Sequence, residues 1–251
     1  MTIDRRHVLQ AGLSLTAGLL SAPTWAAGTP RFKAMVFDAF PVFDPRPIAA
    51  LAETVFPGKG AEVINLWRIR QFEYAWLRTV AGNYADFMRV TEDSLVFAAK
   101  SLKLELRGEH RDRLLKAYLE LKTWPDATPA LLKLRSSGCR LAFLSNFTPQ
   151  MLDGSIRASG LDDVFEHVIS TDQVRAYKPA PQAYKLGVSA FGLPKEQILF
   201  VAFAGWDAAG AKTFGYPTFW VNRLGLPPEE LGTMTDGEGS TLNELLAFAG
   251  F

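Results

Sequence analysis

From residue 124 onward, short apolar runs alternate with amphipathic stretches. The apolar runs are 140–144, 164–170, 198–202 and 218–222, and helical patterns occupy 127–137, 149–159, 184–191 and a stretch beginning near Asp207. A strand that faces water on one side alternates apolar and polar residues, whereas near-continuous apolar strands are buried on both faces. Strands separated by helices therefore point to a parallel sheet with helices packed against it.

One more apolar strand, 34–37, stands far upstream and stops at Asp38. In open α/β folds the carboxyl edge of the sheet is where ligands bind, although a lone strand-end Asp serves equally well as a turn cap. Pro41, Pro45 and Pro47 then rule out continuous helix. From 48 to 122 no strand signal appears. Val63, Ile64, Trp67, Phe72, Trp76 and Leu77 recur at helical spacing, Thr91 is expected to cap a helix reaching Leu102, and 109–122 supplies another helix. The expected architecture is α/β: a Rossmann-like parallel-sheet core (32–46 and 124–251) with a helical cap (47–123) inserted after the first strand, placed to close over the strand ends.

Composition narrows the function classes. Of 251 residues, 48% are hydrophobic and 21% charged, which suits a packed core. The formal net charge of +1 leaves no electrostatic footprint for nucleic acid or an anionic membrane surface. The single cysteine, Cys139, excludes an intrachain disulfide, and His7, His110 and His167 lack metal-ligand spacing. Residues 1–27 have the layout of an export signal: Arg5-Arg6, an apolar stretch from Ala11 to Leu20, then Ala26-Ala27. The adjacent arginines give it a twin-arginine character, so a periplasmic protein without stable membrane association after processing is expected. Removing residues 1–26 takes away two Arg and one Asp and leaves 25 basic and 25 acidic residues.

Four strand-end positions converge on one edge of the expected sheet: Asp38, Ser145-Asn146, Lys178 (followed by Pro179) and Asp207. Each residue alone has an ordinary explanation as a cap or a surface charge. Together they form a nucleophilic carboxylate, a hydroxyl, an amide, a lysine and a second acid over an apolar sheet. Such a cluster is costly unless it is used or paired.

The order Phe37-Asp38, Leu144-Ser145-Asn146, Tyr177-Lys178-Pro179 and Asp207 resembles the haloacid dehalogenase (HAD) superfamily. Within it, three segments are similar to the type II L-2-haloacid dehalogenases: Leu66 to Arg68 with Gln71 to Arg78, Thr91 to Asp93, and Ile198 to Val201 with Trp206 to Ala211. The resemblance spans about residues 32 to 245. It implies a HAD-like fold and, as an activity, metal-independent hydrolysis of (S)-2-haloacids to (R)-2-hydroxyacids through an aspartyl ester on Asp38, with no cofactor. It assigns Arg68 and Asn146 to the halide, with Phe87 and Trp206 beside them. It assigns Ser145 to the substrate carboxylate, Lys178 to keeping Asp38 ionised, and Asp207 to orienting Lys178 or activating water. Tyr184 is expected to line the site, Trp67 either lines it or packs in the core, and a homodimer is implied.

Two phenylalanines separate this reading from a superfamily phosphatase. Phe40 stands two residues after Asp38, where a phosphatase carries its leaving-group acid. Phe203 stands four before Asp207, where a phosphatase carries a metal ligand. A hard cation would have too few oxygen ligands, whereas a halide leaves as a stable anion without either. Val42, Ala202 and Ala204 stand where the family has Thr, Ser and Asn, which bears on ester hydrolysis. An exported small-carboxylate-binding relative with little turnover is the reading from a different class.

Overall fold

The computed structural model describes residues 31–251; the expected export signal at 1–27 lies outside them. Among the described residues six strands form one sheet in the order β3-β2-β1-β4-β5-β6, with every neighbouring pair parallel. They are β1 (Ala34–Phe37), β2 (Arg140–Ser145), β3 (His167–Ser170), β4 (Ile198–Ala202), β5 (Thr218–Val221) and β6 (Gly237–Gly239). The central strands β1 and β4 are buried at every position. Two apolar clusters flank the sheet: one contains Phe37, Phe143 and Leu199, and the other Val36, Leu144 and Phe200. These are alternate residues of the same strands, as a period-two backbone requires.

Helices α5 (Ala127–Ser136), α6 (Pro149–Ser159), α7 (Pro181–Phe191), α8 (Gly205–Phe214) and α9 (Leu242–Ala249) accompany the strands. Between β1 and β2 come α1 (Arg46–Val55), α2 (Gly60–Val80), α3 (Phe87–Ser101) and α4 (Gly108–Ala117). The two chain crossings that bound this block pair with each other. An antiparallel bridge joins Phe43 to Thr123, Asp44 N–H donates to Lys122 O at 2.8 Å, and Trp124 N–H donates to Val42 O at 3.0 Å. No helix among the described residues is long and apolar enough to cross a membrane.

Several boundaries differ from the sequence reading. Thr91 does not cap α3. The cap is Asp86, whose side chain accepts from Arg89 N–H, while Thr91 lies inside the helix and donates its hydroxyl to Phe87 O. Such back-bonding to the preceding turn satisfies a mid-helix threonine. Helix α4 ends at Ala117, because Leu121 and Trp124 turn inward to join the core. Strand β3 begins at His167, because Val164 N–H closes a turn onto Leu161 O. Strand β6 carries no apolar pattern, and its glycines admit Phe248 and Phe219: a Cβ at Gly237 would sit 2.6 Å from the Phe248 ring. Helix α9 carries its own start signal in the sequence, since Thr241 and Glu244 form a capping box.

Candidate active site

Strand β1 delivers Asp38 one residue past its end. Asp38 N–H extends the ladder by donating to Val201 O at 3.0 Å. Its Oδ1 accepts from Lys178 Nζ at 2.9 Å, and its Oδ2 accepts a longer bond, 3.3 Å, from Phe40 N–H. Lys178 Nζ also donates to Asp207 Oδ2 at 2.6 Å. Asp207 sits in the first turn of α8, where the helix dipole favours an anion. Its Oδ1 accepts from Tyr184 Oη–H at 2.7 Å. Gly210 makes room for that hydroxyl, since a Cβ there would lie 2.5 Å from it.

The side chains of Lys178 and Asp207 are 1% and 2% exposed, so one ammonium is shared by two carboxylates almost out of water. Burial alone would lower the Lys178 pKa, but Asp207 and Asp38 outweigh it and hold it above the ordinary lysine value. Burial pushes the Asp207 carboxyl up to about 6; Lys178 opposes this, and the Asp38 charge adds to it. When all three groups are ionised the cluster carries one excess negative charge, and that excess adds a smaller push to the burial that chiefly makes Asp207 retain its proton.

Above the cluster lies a closed pocket with about 20 Å³ of free space, room for one or two waters. Asp38, Asp207, Ser145, Asn146, Phe40, Phe87, Trp206 and Arg68 all line it. Asn146 Oδ1 accepts from Lys178 N–H at 3.0 Å and from the Thr171 hydroxyl at 3.3 Å, so its amide oxygen is committed to the core. Ser145 Oγ accepts from Phe147 N–H at 3.2 Å. Arg68 comes from the middle of α2 and forms no ion pair with any carboxylate among the described residues. Arg68 also lines a neighbouring chamber of about 90 Å³, with Arg46, Gln71, Tyr118 and Trp124.

Tyr184 does not line the pocket as expected. It is completely buried beneath Asp207, because its ring packs into the apolar cluster with Phe200 and only its hydroxyl reaches the site. Burial and the Asp207 charge keep its proton on well above the ordinary tyrosine range. Trp67 is core: its indole N–H donates to Thr91 O at 2.8 Å and joins α2 to α3. Phe72 and Phe147 line the pocket and were missed as wall residues. Phe72 falls one helical turn after Arg68 on the same face, which was a usable signal. Phe40 packs against Phe147 and Phe203 with ring centroids 5.2 and 5.6 Å away, so the position two after Asp38 is an apolar wall. Of the three apolar replacements, Ala204 faces the pocket, while Val42 and Ala202 are buried in the two cores.

The profile of the haloacid dehalogenase-like hydrolases matches residues 7–215. The chain belongs to this family. It is 42% identical over 207 residues to haloacetate dehalogenase H-2 of Moraxella sp. (strain B), covering 82% of this chain and 92% of that protein. It is 40% identical over 215 residues to the (S)-2-haloacid dehalogenase of Pseudomonas sp. (strain YL), covering 85% and 93%. Among solved structures, the L-2-haloacid dehalogenase RSc1362 superposes with a TM-score of 0.86 at 44% identity over 88% of this chain and 99% of that one. The Xanthobacter autotrophicus L-2-haloacid dehalogenase with chloropropionic acid covalently bound superposes with a TM-score of 0.79 at 33% identity over 86% and 98%.

Proposed function

We propose that this HAD-like hydrolase converts (S)-2-haloacids to (R)-2-hydroxyacids through a covalent ester on Asp38. The observation that carries the reading is the shared charge at the nucleophile: one buried lysine between two carboxylates, with phenylalanine where a second acid would stand. Asp38 Oδ2, the less firmly held oxygen, attacks C2 of the substrate, and the carbon–halogen bond breaks on the opposite side with inversion. The halide departs toward Arg68 and the Asn146 amide, and Ser145 receives the substrate carboxylate.

Ester formation removes the negative charge of Asp38 and leaves Lys178 paired one-to-one with Asp207. The excess charge of the buried cluster therefore disappears in the first step. In the second step Asp207, relieved of the Asp38 charge and therefore ionised near neutral pH, takes a proton from water as that water attacks the ester carbonyl. Hydrolysis restores the Asp38 carboxylate and releases the hydroxyacid. The similarity to a haloacetate dehalogenase favours small substrates.

The test is halide release from chloro-, bromo- and fluoro-acetates and propionates in EDTA. Sustained release that vanishes in Asp38→Ala supports the reading. A burst of about one halide per site followed by a stall would mean that the ester forms and is not turned over, as a binding relative would show. Magnesium-dependent phosphatase activity without halide release would overturn it. The paired arginines at Arg5-Arg6 support export to the periplasm, which cell fractionation and N-terminal sequencing of the recovered protein would check.

A further inference from the structure

The catalytic lysine is held by both parts of the molecule at once. The N–H of Lys178 donates to Asn146 Oδ1, on the core side, at 3.0 Å. Its carbonyl accepts from the Trp76 indole N–H, on cap helix α2, at 3.1 Å. The neighbouring peptide repeats the arrangement: Tyr177 N–H donates to Thr79 Oγ1 at 3.0 Å, and the Thr79 hydroxyl donates to Ala75 O at 2.9 Å. Two further bonds tie the loop after α2 to the segment leading into Lys178, from Tyr177 Oη–H to Ala85 O and from Tyr84 Oη–H to Asp172 Oδ1.

On α2 the residues involved are spaced to share one face. Arg68, Phe72, Trp76 and Thr79 follow at intervals of four, four and three, so they stack along one side of the helix. Arg68 and Phe72 form part of the pocket wall. Trp76 packs edge-on against Trp206, which also lines the pocket, with ring centroids 5.4 Å apart. Beyond that pair lies an apolar groove of about 870 Å³, so Trp76 and Trp206 stand between the site and a large open space. A rigid helix thus carries the arginine that meets the substrate anion and, two turns later, the group that satisfies the carbonyl of the catalytic lysine.

We infer that Trp76 is a positioning residue for the reaction proposed above, fixing Lys178 through its carbonyl so that the ammonium sits between Asp38 and Asp207 only when the cap is seated. With α2 displaced, the Lys178 carbonyl would lose its partner in a mostly apolar setting, and the peptide would turn to find another. Seating of the cap around an anion at Arg68 and placement of the lysine are then one event.

Two substitutions test this with different chemistry. Trp76→Phe keeps an aromatic partition and removes the N–H; Thr79→Val keeps the shape and removes the acceptor for Tyr177. Each is expected to lower kcat for haloacid by about fivefold to tenfold, the equivalent of one hydrogen bond, with KM within about twofold of wild type. Hydrogen exchange at the Tyr177 and Lys178 amides should rise in both variants. Leu77→Ala, on the exposed side of the same helix, serves as the control and should change neither reading. Wild-type kcat together with wild-type exchange in Trp76→Phe and Thr79→Val would overturn the inference. So would a loss of kcat equal to that of Leu77→Ala. If one variant does not fold, the other decides, since each removes a separate bond to adjacent peptides. Should the wild-type protein release no halide, the haloacid reading fails, and amide exchange alone decides whether Trp76 and Thr79 hold the lysine.

Discussion

Two largely buried ion clusters in this protein use similar residues in opposite ways. Arg223 and Asp126 form a bidentate pair at 3.0 Å on both branches. The guanidinium also donates to Pro41 O and Ser240 O and lies over the Trp124 ring, while Leu242 N–H donates to Asp126 Oδ2 at 2.7 Å. Charges match one to one. Although burial works against ionisation of Asp126, its bonds to Arg223 and to the Leu242 N–H prevail and hold its pKa below the ordinary value. At the Asp38–Lys178–Asp207 cluster the charges do not match, and Asp207 is shifted the other way. The charge-matched pair ties the start of α5 and α9 to the chain after β5. The mismatched cluster keeps a charge in reserve that a covalent ester would discharge. Charge imbalance together with the direction of the pKa shift separates a chemical site from a structural tie here, where burial alone does not.

The largest test of that contrast is Asp38→Ala, which is expected to reduce halide release by at least about a thousandfold, as loss of a nucleophile does. Its folding stability should not fall, because one carboxylate then faces one ammonium. The reverse pattern is expected for Asp126→Ala. It strands a largely buried guanidinium and should cost about 3 kcal/mol in urea unfolding, with kcat within about twofold of wild type.

The pH dependence should split in the same way. The folded pKa of Asp207 is raised to about 6 from an ordinary 3.8, so its contribution to stability is full below the unfolded value and is lost as pH rises through 6. Asp126 has a lowered folded pKa, so its contribution is present above the unfolded value and is lost as pH falls through the folded one. Asp207→Asn is therefore expected to melt no lower than wild type at pH 7 while stalling after one halide per site. In the wild type, kcat should fall as acid protonates Asp207, at a pH below about 6 because the ester has removed the Asp38 charge that adds to the shift. A melting temperature reduced by several degrees in Asp207→Asn would break the proposed distinction. The smallest effect belongs to the surface. Arg89, 59% exposed and paired with Glu92 and Asp93 on α3, should change unfolding free energy by less than about 0.5 kcal/mol when replaced by Ala.

Much of the site is legible in the sequence, because a parallel sheet forces the carboxyl ends of its strands onto one edge. Asp38, Ser145, Asn146, Lys178 and Asp207 each follow or end an apolar run or sit at a helix start, and adjacent pairing of β1 with β2 and β4 brings their ends together. The aromatic residues were less legible. Trp67, Phe72, Phe87 and Trp206 look alike as apolar positions in helices, and whether a ring faces a pocket or a neighbouring helix depends on helix rotation and crossing. Tyr184 shows the same limit: its sequence position placed it near Asp207 but could not say that its ring lies beneath the pocket floor.

The order and chemistry of the strand-end groups, the apolar wall announced by Phe40 and Phe203, and the insertion of helices after β1 were set by the sequence, because local pattern and chain order determine them. The tertiary structure decided how the charges are shared. Asp38 and Lys178 are 140 residues apart, and only the folded chain makes one ammonium serve two carboxylates, lifts the Asp207 pKa and joins Trp76 to the carbonyl of the catalytic lysine. Burial and electrostatic coupling are properties of distance in space, which separation along the chain does not encode.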